Sequence, residues 1–123
     1  MNREPPVHIE FAVEFEQQIR RLAKRYRQIR SDLQVVIDQL QAGELLGDPL
    51  TGLTITAFKL RVKNSDIQKG KRAGYRIIYQ VESARIILLT IYSKSERSTI
   101  ATQEIEQIVA AMKQQIRETE DLP

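Results

Sequence analysis

The chain contains no cysteine and a single histidine, His8. The first absence excludes a disulfide framework, a thiolate-held metal and a cysteine nucleophile, and the second excludes a histidine-rich metal centre. Also missing is any apolar run near the roughly 20 residues that a bilayer-spanning helix needs. The opening Met1-Asn2-Arg3-Glu4-Pro5-Pro6 lacks the hydrophobic segment of a signal peptide, so the expected location is the cytoplasm. No repeat or low-complexity segment is visible. A length of 123 residues suits one domain, 1–123, able to bury a core without metals or crosslinks and ending in a short flexible tail at about 118–123.

What is present is charge, unevenly placed. Lys59 to Arg97 holds ten of the nineteen Lys and Arg residues and three acids, an excess of ten minus three, or +7. Residues 1–58 carry seven basic and eight acidic side chains, and residues 98–123 carry two and five. The overall +3 therefore hides a strongly polar molecule. Such a cluster focuses positive potential and draws polyphosphate partners, with an affinity that falls steeply as salt rises. Nucleic acid is the first partner this implies and an anionic protein the second.

Val7, Ile9, Phe11 and Val13 alternate with His8, Glu10 and Ala12, the period of a half-buried strand. Phe15, Ile19, Leu22, Ala23, Tyr26 and Ile29 then recur at helical spacing, with Arg20 to Arg27 as a solvated basic face. Ser31 and Gln34 form a capping-box pattern opening a second helix through Leu33, Val36, Ile37 and Leu40. Gly43 to Thr54 reads as a loop, with Gly47-Asp48-Pro49 as a turn. In a strand at about Ile55 to Lys63, Phe58, Leu60 and Val62 face one way and Lys59, Arg61 and Lys63 the other. Asn64 to Gly74 reads as an exposed basic loop carrying Lys69, Lys71 and Arg72. Tyr75 to Glu82 and Arg85 to Tyr92 form a hairpin buried on both faces, with Tyr75 and Tyr79 in the core. A last helix, capped by Thr102, carries Ile105, Ile108, Val109, Met112 and Ile116 on one stripe. The fold class is α+β: a small, antiparallel-rich sheet of about four strands, an amino-terminal helical hairpin and a carboxy-terminal helix, in the order β-α-α-β-β-β-α.

That order resembles the RelE/ParE superfamily of toxins from bacterial toxin-antitoxin modules. Three segments carry the resemblance: Phe58-Lys59-Leu60-Arg61-Val62, Lys69-Gly70-Lys71-Arg72-Ala73-Gly74-Tyr75-Arg76-Ile77-Ile78-Tyr79 and Ile91-Tyr92-Ser93-Lys94-Ser95-Glu96-Arg97. The glycine-rich basic stretch looks most like the HigB-like branch. The resemblance implies a metal-independent, cofactor-free endoribonuclease that cuts mRNA in the ribosomal A site and is silenced by a cognate antitoxin, with ribosome and mRNA as further partners. It also leaves two alternatives: a ParE-like poison of DNA gyrase, or an inactive member that only binds RNA or antitoxin.

RNA carries its own nucleophile, the 2′-hydroxyl, so cleavage needs a proton acceptor, cations for the phosphorane and a donor for the leaving oxygen. Clustered positive charge can make lysine a base, whereas arginine stays charged and clamps phosphate. Matched to the RelE branch, the catalytic set is Lys59, Arg61, Arg76 and Lys94, with Arg76 as the clamp and Lys59 or Lys71 as base. RNA contacts fall to Lys63, Lys69, Lys71, Arg72, Tyr92 and Arg97. The tyrosine that the RelE branch places beyond the basic segment is absent from Ser98-Thr99-Ile100-Ala101. As structural alternatives, Arg76 could pair with Glu82 or Glu96, and Tyr92 could simply pack.

Overall fold

The structure is a computed structural model that describes residues 7–67 and 73–120, with 116–120 described by backbone alone. Among the described residues, five strands form one mixed sheet flanked by three helices: β1 (His8–Phe11), α1 (Val13–Ala23), α2 (Ile29–Gln41), β2 (Asp48–Pro49), β3 (Ala57–Val62), β4 (Tyr75–Glu82), β5 (Arg85–Ser93) and α3 (Thr102–Glu120). The sheet order is β1-β5-β4-β3-β2. The expected α+β arrangement is present, with two refinements. The fifth strand, β2, lies where the sequence suggests a turn: Asp48 and Pro49 pair with Lys59 and Phe58. Proline is tolerated there because β2 is an edge. The first strand pairs in parallel with β5, while the other ladders are antiparallel.

Alternation along β3 and β4, and along β5 with a register shift opposite Ile78 and Tyr79, distributes the three strands between two cores. Leu60, Val62, Tyr75, Ile77, Tyr79, Ile86, Leu88 and Ile91 pack under the helical hairpin with Phe15, Leu22, Ile29 and Leu40. Ile78, Ile87 and Leu89 form a smaller core on the opposite face with Ile105 and Val109 of α3. Each such side chain taken fully from water contributes roughly 1.5–3 kcal/mol, so the hairpin core dominates the fold. β4 is buried from Tyr75 to Gln80, and β5 from Ile86 to Ser93, the positions of two internal strands covered on both faces.

The helical hairpin breaks earlier than the periodicity suggests. α1 ends at Ala23, and Tyr26 and Ile29 stay buried across the connection. α2 begins at Ile29 with Gln28 at its cap position and no cap from its own side chain. Ser31 Oγ instead donates to Gln28 O at 2.9 Å, so the capping box does not form. The cap comes from the far side of the chain: Asp66 Oδ2 accepts from Gln28 N at 3.0 Å. Beside it, Asp32 accepts from Ser65 N at 2.9 Å and from the Ser65 hydroxyl. The stretch after β3 thus clamps the start of α2.

α3 starts at Thr102 itself, and Ala101 O accepts the first helical bonds, from Glu104 N and Ile105 N. Thr102 is therefore inside the helix rather than its cap. The helix continues through 118–120, and 121–123 lie outside the described residues. Among the described residues no helix is long and apolar enough to cross a membrane.

Candidate functional site

On the sheet face opposite the hairpin, two adjacent rows of side chains cross β3, β4 and β5. In the first, Arg61 stands opposite Arg76, which stands opposite Tyr92; in the second, Lys59 stands opposite Ile78, which stands opposite Thr90. Directly opposed side chains share a face and lie about 4.5–5.5 Å apart at Cβ. Alternation along β3 was enough to place Lys59 and Arg61 together; strand pairing adds Arg76 and Tyr92.

Arg76 is 4% exposed. Its guanidinium is held below the usual arginine range by burial first and by the facing Arg61 second, with Tyr92 opposing the shift. One of its terminal nitrogens donates to Tyr75 O at 3.2 Å. The two acids that might have paired with it are engaged elsewhere: Glu82 with Arg85 at 3.2 Å, and Glu96 with Arg21 at 2.9 Å and Arg25 at 3.7 Å. Tyr92 is buried, and its hydroxyl has no hydrogen-bond partner among the described residues. Lys59 is half-buried and lines a cavity of about 60 Å³ with Leu50, Ile78, Thr102 and Ile105, its stem running beneath the first turn of α3.

The turn after β5 brings up two more cations. Lys94 N donates to Gly74 O at 2.9 Å, fixing the turn beside the start of β4. Lys94 Nζ donates to Ser98 O at 3.1 Å. Arg97 lies over the Tyr92 ring, 5.5 Å from guanidinium carbon to ring centroid. Its Nε donates to Thr99 O at 3.0 Å, and its fork takes both oxygens of Glu104 at 3.1 and 3.2 Å. That carboxylate raises the Arg97 pKa. The row therefore runs Arg61, Arg76, Tyr92, Arg97, with Glu104 at its end.

Not every sequence-derived candidate joins it. Lys63 lies past the end of β3 and lines a groove of about 320 Å³ against α2, with Asp32, Val35 and Val36. Lys69, Lys71 and Arg72 lie outside the described residues. Arg85 belongs to the opposite end of the sheet; burial opposes its charge, but Glu10 and Glu82 outweigh burial and raise its pKa. His8 is exposed, 3.3 Å from Glu10. Tyr75 and Tyr79 are core residues, both fully buried.

Sequence reasoning missed Glu104. It sits seven residues beyond Arg97, across an irregular turn, and no periodicity links the two. Ser95, which stands where the RelE branch has a cation, has its hydroxyl 2.8 Å from that of Ser93 and 3.5 Å from that of Tyr26. Sequence reasoning found Gly74 only as part of a motif, and the structure supplies the reason: a Cβ there would strike Val62 O of the neighbouring strand.

The family model described as ParE toxin of type II toxin-antitoxin system, parDE, matches residues 9–98 of this 123-residue chain. The matched span includes all of the sheet but His8 of β1, and the whole Arg61, Arg76, Tyr92, Arg97 row. The chain belongs to the ParE toxin family, within the RelE/ParE superfamily, and is the toxin of a type II toxin-antitoxin module. Its family carries with it a cognate antitoxin as partner.

Proposed function

We propose that this toxin stops translation by cutting mRNA, with the arginine row as its phosphate site. The observation that carries the reading is the Arg61, Arg76 pair. Arg61 is exposed and stands directly opposite Arg76, so two guanidinium groups share one place on the sheet. Planar guanidinium forks are suited to phosphate oxygens, and RNA supplies a phosphate at every nucleotide.

The chemistry needs no group beyond the chain and the RNA. A base takes the 2′-hydroxyl proton, O2′ attacks phosphorus, the bond from phosphorus to O5′ breaks, and the departing oxygen takes up a proton. The products are a 2′,3′-cyclic phosphate and a 5′-hydroxyl end. Arg76 and Arg61 clamp the phosphate oxygens as charge builds on the phosphorane. Lys59, one row away on the same face, is the base, and Lys94 at the rim adds a further cation. A single-stranded RNA backbone would meet this row first at the exposed Arg61 and Arg97, with the buried Arg76 between them.

A second reading is favoured by the family match itself: a ParE-like toxin that poisons DNA gyrase without cutting RNA. One fold serves either activity. The deciding experiment adds the purified toxin to a reconstituted translation reaction and, separately, to a gyrase supercoiling reaction. Cleaved, translated mRNA with normal supercoiling supports the nuclease. Intact mRNA with trapped DNA cleavage complexes supports the gyrase poison and refutes the first reading.

A further inference from the structure

Arg97 reaches the end of the phosphate row with its fork already filled. Both of its terminal nitrogens lie on the Glu104 carboxylate, its Nε is on Thr99 O and its plane lies over Tyr92. Carboxylate and phosphate are alternative ligands for the same guanidinium fork. We propose that Glu104 is a built-in stand-in for substrate phosphate: α3 holds Arg97 with its own anion until RNA displaces it. The proposal rests on the reading of the arginine row as a phosphate site.

Three features make displacement feasible. The pair is exposed, with side-chain exposures of 41% for Arg97 and 37% for Glu104, and exposed ion pairs are weak and screened by salt. The face beneath Arg97 is the Tyr92 ring, which continues directly to Arg76 and Arg61, so a released fork points along the row rather than into empty solvent. And α3 rests on a small core, Ile105 and Val109 against Ile78, Ile87 and Leu89, with Glu106 on Thr54 as a separate tether. Glu14 of α1 also favours the charge on Arg97, as the weakest of the groups that do. The consequence is a threshold: short or weakly charged anions leave Arg97 on Glu104, and a chain of phosphates recruits it.

The test is binding of a labelled single-stranded RNA dodecamer to the full chain across a salt series, for the wild type, Glu104→Gln, Glu106→Gln, Glu104→Gln with Arg97→Gln, and Arg76→Met. Releasing one more cation to the RNA predicts that Glu104→Gln binds severalfold tighter at low salt and that its log-affinity against log-salt slope steepens by about 0.7. Glu106→Gln removes the same charge from the same helix and loosens its Thr54 tether without removing the ligand of Arg97, so it gains clearly less than Glu104→Gln. The double variant loses the gain. Equal tightening by Glu104→Gln and Glu106→Gln, or no change in either, overturns the role of Glu104 while leaving the phosphate row intact. Unchanged binding by Arg76→Met overturns the phosphate row itself. A thermal melt of each variant identifies any that fails to fold, and Glu104→Ala then replaces Glu104→Gln.

Discussion

Arg61 and Arg76 face one another across the β3–β4 ladder, one exposed and one 4% exposed. Burial and the facing Arg61 both disfavour the charge on Arg76. Replacing Arg76 by an unbranched apolar side chain of similar length should therefore leave the fold intact. Arg76→Met is expected to unfold in urea within about 1 kcal/mol of the wild type, or above it, while toxicity in cells is lost. A drop of several kcal/mol would mean that Arg76 is a structural residue.

The start of α2 makes a second contrast. The cap on Gln28 N comes from Asp66, 38 residues away, and Ser31 bonds only to the preceding turn. Asp66→Ala should destabilise the protein by about 1 kcal/mol, the usual value of a lost cap, and Ser31→Ala by a few tenths. Denaturant unfolding of the two variants decides the order, and the reverse order would restore the capping box.

Gly74 and Gly52 differ in what an added methyl would meet. At Gly74 it would strike Val62 O, a backbone atom that cannot move without parting β3 from β4. At Gly52 space is open, and only the φ of 76° opposes a side chain. Gly74→Ala should cost several kcal/mol or prevent folding, and Gly52→Ala about 1 kcal/mol. Thermal melts check both.

Docking of α3 should depend on acid. Glu106 accepts from Thr54 N at 2.8 Å and from the Thr54 hydroxyl, and these donors, the backbone one first, lower its pKa from the ordinary 4.5. A carboxyl group whose pKa is depressed by folding contributes stability that is fully present above the unfolded value and is lost as pH falls through the folded value. Amide protection of α3 should therefore hold from neutral pH down to about 4.5 and fall below it. In Glu106→Gln, protection should be lower at neutral pH and lose this step. Hydrogen exchange at pH 7 and pH 3 separates the two outcomes.

Much of this architecture is legible from local pattern. Alternation along Phe58 to Val62 places Lys59 and Arg61 on one face, and the unbroken run Ile86 to Leu89 marks an internal strand. What escapes the sequence is what depends on distant partners. The α1–α2 break is read too late, at Arg30-Ser31 rather than after Ala23, because Tyr26 and Ile29 continue the apolar spacing across it. β2 escapes because two residues carry no periodicity and Asp48-Pro49 is turn chemistry until β3 offers it a partner. At the site, the cations are readable as a cluster, but their order is not: Arg76 and Tyr92 come together only through register, and the occupancy of Arg97 by Glu104 only through the docking of α3.

The most direct measurement of the central claim maps mRNA 5′ ends in cells induced, without antitoxin, for the wild-type toxin or for Arg76→Met. The account predicts codon-phased cuts confined to translated transcripts, present with the wild type and absent with the variant. Growth arrest by the wild type with its mRNA intact would contradict it.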